Sequence, residues 1–248
     1  METNALEASQ LTVTYGKLSV LWDITLNVPK ENLIGIVGPN GAGKSTFLKA
    51  ALGLVKPLSG HIQFPGVLKN QIAYVPQRDS VDWDFPITVF DVVLMGRYKK
   101  TGLFKRVKKA DREAAFFALE QCGLASLADR QIGELSGGQK QRLFIARALA
   151  KDPKIFLMDE PFAGIDVSSE EVIVSILQKL KNEKKTIFVV HHDLSSVENY
   201  FDYLILLRTR LIAAGPVKEI FTKENLTKTY GKNQALFDEL TKQSFETF

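Results

Sequence analysis

Cysteine occurs once in the 248 residues, at Cys122. An internal disulfide is therefore excluded, and a reducing compartment suits the chain. Long apolar runs are missing as well. No window holds the ~18 consecutive apolar residues of a spanning helix, so any membrane role has to be borrowed from partner chains. Met1–Gln10 has no basic run leading into an apolar stretch, so a signal peptide is not expected. Charge of one sign is scarce too: 32 basic against 28 acidic side chains leave a net charge of +4. Such an excess suits an anionic ligand or membrane surface but is too small and scattered to indicate nucleic acid. There is no internal repeat and no low-complexity linker. What remains is an ordinary globular composition, 45% apolar and 24% charged, long enough to bury a core without staples.

Short segments rich in β-branched residues, bounded by turn formers, predict strands at Ala8–Tyr15, Val20–Val28, Asn32–Gly38 and Gln71–Val75. The continuous apolar run Ile155–Met158 reads as a strand buried on both faces. Thr186–Val190, Tyr203–Leu207 and Arg210–Ala214 complete the set. Helical spacing marks Ala110–Cys122 and Gln139–Ala150. Ser168 with Glu171 has capping-box spacing, with Val172, Ile176 and Leu180 on one face of the helix that follows. Strands alternating with helices predict an α/β fold with a mostly parallel sheet. The helical stretch from about 88 to 150 breaks that alternation and reads as a subdomain inserted in a single domain covering residues 1–248. A polar, helical C-terminus is expected after the last strand.

Gly38-Pro39-Asn40-Gly41-Ala42-Gly43-Lys44-Ser45 satisfies G-x-x-x-x-G-K-[ST]. The glycines let successive N–H groups turn toward phosphate oxygens, and the following helix adds its positive end. Lys44 should neutralise the β- and γ-phosphates, and Ser45, followed by Thr46, should ligate Mg²⁺. The context is right: the strand-like Leu33–Val37 precedes the loop and a helical pattern follows it. Ile155–Met158 runs directly into Asp159-Glu160. That puts two carboxylates at the C-terminal end of a strand, where open α/β sheets place ligands. Neighbours on an extended strand face opposite ways, so their roles differ. Asp159 can reach the metal through its hydration shell, and Glu160 can activate the attacking water.

Leu135-Ser136-Gly137-Gly138-Gln139 is more specific. Ser136 and two glycines at a helix N-terminus form a second anion site. The pentapeptide and the order of motifs resemble those of ABC ATPases, from about Leu6 to about Phe221. The resemblance implies a P-loop core with an N-terminal antiparallel β lobe and a helical subdomain. It also implies an ATP- and Mg²⁺-dependent ATPase that works as a dimer with a second copy or a homologous subunit. In that family the signature of one protomer closes over the nucleotide on the other's phosphate loop.

Further residues resemble family positions. Tyr15 is similar to the aromatic that stacks on adenine, or else is a strand-end tyrosine covering the sheet. Gln77 looks like the glutamine that senses Mg²⁺ and the γ-phosphate. Asp166 resembles the aspartate that contacts the partner, although Gly164 stands where leucine is usual. His192 looks like the γ-phosphate histidine, with His191 as the alternative. The His pair has no third ligand of suitable spacing for a metal site.

The stretch Asp79–Val89, with Val93-Leu94-Met95-Gly96-Arg97, the Phe-Ala-Gly-Ile-Asp context of Asp166 and His191-His192-Asp193, resembles the ATPases of bacterial manganese, zinc and iron importers. That implies two transmembrane permease subunits, an extracytoplasmic binding protein, and a place on the cytoplasmic face of the membrane. Trp83, Phe85 and Pro86 are either partner anchors or packing for their own loop. Rival readings are an importer or exporter for another substrate, a soluble ABC ATPase acting on DNA or the ribosome, and a nucleotide switch without turnover. The chain is expected to lack a β-rich regulatory domain at its C-terminus.

Overall fold

The computed structural model describes residues 4–78, 81–98 and 107–231. They fall into two compact units, one made of the residues up to Gly66 with those from Phe188 onward, the other Val67–Ile187.

In the first unit β1 (Asn4–Tyr15) and β2 (Leu18–Pro29) form an antiparallel hairpin, with β4 (Ser59–Gln63) on the other edge of β1. Leu6, Leu11, Leu21, Ile24 and Val28 supply its buried face. β3 (Leu33–Val37) is buried throughout and pairs in parallel with β8 (Tyr203–Arg208), which pairs antiparallel with β9 (Arg210–Pro216). β7 (Thr186–His191) enters this unit at Phe188 and neighbours β3. Helix α1 (Lys44–Ala51) buries Phe47 and Leu48.

In the second unit β5 (Ile72–Val75) and β6 (Ile155–Asp159) are parallel. Around them lie α2 (Val89–Leu94), α3 (Lys109–Gln121), α4 (Gly137–Ala150) and α5 (Val167–Asn182). The first unit ends with α6 (Val197–Tyr200), α7 (Val217–Ile220) and α8 (Lys223–Tyr230). The polar, helical stretch expected after the last strand begins with α7 and α8, and its continuation beyond Gly231 lies outside the described residues, as do Asp79 and Ser80.

Three local expectations are corrected. Ser59–Gln63 forms a strand that its polar sequence does not announce, because it is an edge strand with mostly exposed side chains. Gly60 is needed there: a Cβ would stand 2.3 Å from the Gln10 carbonyl, at a β1 residue whose φ is 48°. The cap of α5 is Asp166, whose side chain accepts from the Ser169 N–H, while Ser168 lies inside the helix. Its buried stripe is Ile173, Ile176, Leu177 and Leu180; Val172 sits at the margin and is 39% exposed.

Candidate functional site

The phosphate loop connects β3 to α1. Gly38 passes so close to the end of β8 that a Cβ would meet the Leu207 carbonyl at 2.1 Å. Gly43 caps α1 at φ 95°, and a Cβ there would meet Leu21 at 2.5 Å. Gly41 is different: φ is 80° and its Cβ would meet nothing, so backbone conformation alone selects glycine. The loop is anchored by Thr209 N–H donating to the Ala42 carbonyl at 3.0 Å and Ala42 N–H donating to Pro39 at 3.1 Å. Lys44 is buried, its ammonium donating to the carbonyls of Gly38 (2.8 Å) and Pro39 (3.0 Å). Asn40 and Gly41 form the exposed tip, with Ser45 and Thr46 half-buried behind.

His191 ends β7 and is buried, its Nε2 2.8 Å from the Ser196 hydroxyl. His192 is exposed. Only the second ring is therefore presented to a ligand. Tyr15 is 51% exposed at the end of β1.

In the second unit β6 carries Asp159 at its end, buried, accepting from the Tyr74 hydroxyl at 3.3 Å. Burial first, and the Asp159 charge second, hold that phenol protonated. Glu160 follows with φ 54°, a left-handed turn. The two carboxylates take different partners, Asp159 accepting from Tyr74 and Glu160 from Gln77. Gln77 donates to Glu160 Oε2 at 3.1 Å. Nothing in the sequence pairs these two residues, yet they are in contact.

Ser136 caps α4: its hydroxyl accepts from Gln139 N–H at 3.3 Å, and the Gln139 side chain accepts from Ser136 N–H at 2.9 Å. Gly138 is fitted to α5, since a Cβ would meet Ser169 Oγ at 2.1 Å. Ser169 in turn donates to both Asp166 oxygens, through its N–H and its hydroxyl, each at 2.9 Å. Those bonds, led by the backbone one, hold the Asp166 carboxyl below its ordinary range. Ser136, Gly138 and Asp166 are therefore one assembly. Tyr74, Ser169 and Arg78 complete these contacts and escaped sequence reasoning; the one available hint was the unusual Gly164, whose carbonyl accepts from Arg78 at 3.2 Å.

Of the aromatics in this loop, Trp83 takes the packing role and Phe85 stays exposed. Trp83 packs edge-on against Phe144 at 5.2 Å, under the Lys140 ammonium, whereas Phe85 is 58% exposed. A cavity of about 300 Å³ opens on the same unit, floored by Ala118, Leu149, Pro153, Phe156 and Ile176. Phe117, 59% exposed, stands at its edge.

A glycine-lined anion loop, a capped signature and an acidic strand end define a nucleotide-binding cassette of the P-loop class. Residues 21–163, more than half the chain, match the family model described as ABC transporter. The chain belongs to that family, as an ATP-binding ATPase subunit with an α/β fold. It is 55% identical over 230 residues to the manganese transport system ATP-binding protein MntB of Bacillus subtilis (strain 168), covering 91% of this chain and 92% of that one. Identity to the zinc transport system ATP-binding protein TroB of Treponema pallidum (strain Nichols) is 48% over 231 residues, covering 92% and 87%. An ABC transporter described as metal-chelate type, solved in an inward-facing conformation, superposes with a TM-score of 0.82 at 31% identity, covering 91% and 88%. Among the described residues no helix is long and apolar enough to cross a membrane.

Proposed function

We propose that this chain hydrolyses ATP to drive import of manganese or zinc through separate permease subunits. The observation that carries the metal reading is the likeness, along nine-tenths of both chains, to proteins named for those two ions. Iron, expected alongside them from the sequence, draws no support from those names.

In this reading Gly38, Pro39, Asn40, Gly41, Ala42, Gly43, Lys44, Ser45 and Thr46 hold the phosphates, and Tyr15 stacks on the adenine. Ser45, Gln77 and Asp159 offer oxygen donors, which fits a hard divalent ion such as Mg²⁺. Bound there, the ion would offset charge on the β- and γ-phosphate oxygens. Glu160 takes the proton of the attacking water, and Gln77, hydrogen-bonded to it, fixes the carboxylate's direction. His192 contacts the γ-phosphate. Ser136, Gly137, Gly138 and Gln139 close over the nucleotide of a second subunit, and Asp166 contacts that subunit. Dimer closure is passed to the permeases, and hydrolysis reopens the dimer.

In this reading the chain needs a surface that grips the permease at the cytoplasmic face, since its described residues include no spanning helix. The cavity with Phe117 at its edge, its apolar floor bordered by Arg97, Asp152, Lys179, Glu183 and Lys185, and the exposed Phe85 suit a cytoplasmic segment of that partner. An extracytoplasmic binding protein would deliver the ion.

The test is accumulation of manganese, zinc and iron in cells carrying the wild-type chain or Glu160→Gln. Manganese or zinc should fall in the variant, which keeps binding ATP and persists as a dimer. Unchanged levels of every metal, with ATPase activity intact in the wild type, would end the metal-import reading.

A further inference from the structure

Arg78 has no role in the scheme above, yet its guanidinium is placed between two segments that do. Nη1 donates to the Gly164 carbonyl at 3.2 Å. A Cβ on Gly137 would stand 2.6 Å from Nη1, and one on Gly164 would stand 3.0 Å from Nη2. One side chain therefore touches the first turn of α4 and the turn between β6 and α5. The backbone of Arg78 is held too. The Trp83 indole N–H donates to its carbonyl at 3.1 Å, and Trp83 packs on Phe144 of α4. Its neighbour Gln77 donates to Glu160.

We propose that Arg78 is a positioning residue, tying the loop that carries Gln77 to Gly137 of the signature and to the Gly164 turn. The signature, Asp166 and Glu160 are thereby held in one arrangement. The proposal rests on the ATPase reading above. A guanidinium suits this task because its planar fork directs several N–H donors at once, whereas an ammonium is a compact point charge. Gly164 is the matching half. Its φ of 65° disfavours any side chain, and the space beside its Cα is filled by the guanidinium. A side chain at 164 would press on the guanidinium, which would have to shift from its place against the turn.

The test uses steady-state ATPase kinetics of the purified full chain with Arg78→Ala, Arg78→Lys, Gly164→Ala and the double variant Arg78→Ala/Gly164→Ala. Losing a charge-assisted hydrogen bond that orients the site should lower kcat about tenfold or more. KM for ATP should stay within about twofold, because Gly137 and Gly164, which the guanidinium touches, are not phosphate-loop residues. Arg78→Lys should be nearly as slow as Arg78→Ala. Gly164→Ala should cost at least about threefold less in the Arg78→Ala background than in the wild type, the signature of a shared contact.

Thermal unfolding of each variant separates positioning from loss of fold, and Arg78→Lys, which keeps the aliphatic stem, serves if Arg78→Ala folds poorly. Wild-type turnover in Arg78→Lys, additive effects in the cycle, or lost activity that tracks the lost folded fraction would each overturn the proposal alone. A wild-type chain that binds ATP and turns none over would overturn the ATPase reading, and this proposal with it.

Discussion

His191 allows a stability prediction with a sign and a size. The ring is 4% exposed, sits against Phe201 with centroids 5.3 Å apart, and has its Nε2 2.8 Å from the Ser196 hydroxyl. Burial pushes its pKa down from 6.5 to about 4; Asp193 opposes the shift and His192 adds to it. An unfolded chain carries the same imidazole near its ordinary value of about 6.5. Between about pH 4 and 6.5 the unfolded chain therefore binds a proton that the native chain refuses. Stability rises with pH across that window: the contribution is complete above about 6.5 and gone below about 4. The two values are about 2.5 apart on the pH scale, which at about 1.36 kcal/mol each amounts to about 3 kcal/mol. The perturbation is His191→Gln, which keeps a polar side chain but cannot titrate. Urea unfolding followed by far-UV circular dichroism at steps from pH 4 to 7.5 gives the difference between the two chains. Wild type should lose about 3 kcal/mol more than the variant on acidification. Carboxylates held low, Asp193 among them, act in both chains and largely cancel. A flat difference, or a wild type that gains on acidification, would refute the reasoning.

Two more predictions concern the phosphate loop. Lys44→Ala should weaken ATP binding by roughly tenfold or more in calorimetric titration, since in the proposed function it removes the cation that faces the phosphates; unchanged affinity would remove Lys44 from that role. Tyr230→Phe should change stability by no more than about 1 kcal/mol, because the buried Tyr230 hydroxyl lies against the backbone of Gly38 without a well-formed hydrogen bond among the described residues. Thermal unfolding decides this one, and a loss of more than about 1 kcal/mol would mean that the hydroxyl is bonded after all.

Much of the fold was legible because its central strands are apolar on both faces. Leu33–Val37, Ile155–Asp159 and Thr186–His191 are buried along their whole length, so each stands out as an unbroken run. The phosphate loop was equally plain, since its glycines answer to local constraints: two positive φ values and two close backbone approaches. Ser59–Gln63 was hidden for the opposite reason. Its place on the sheet is set by pairing with β1, not by apolar pattern. The cap of α5 was ambiguous in principle, because Asp166-x-x-Ser169 and Ser168-x-x-Glu171 overlap and both have capping spacing. Packing settles it: Ser169 is pressed against Gly138 and turned onto Asp166.

The candidate site divides along the same line. Residues whose role lies in a motif, such as Lys44 or Ser136, could be named from spacing alone. Those whose role lies in a contact could not. Glu160 looked like the next residue of an extended strand, but its left-handed turn is what directs the carboxylate to Gln77. Arg78 followed Gln77 as one more polar loop residue, and a long side chain in a loop carries no periodicity to betray its target. Its signal lay 86 positions away, in a glycine where the family usually has leucine. In the structure the missing side chain at 164 is the space that the guanidinium of Arg78 fills. A departure from a family pattern is thus better treated as half of a pair, and the search for its partner is a search for the side chain that would collide with the usual residue.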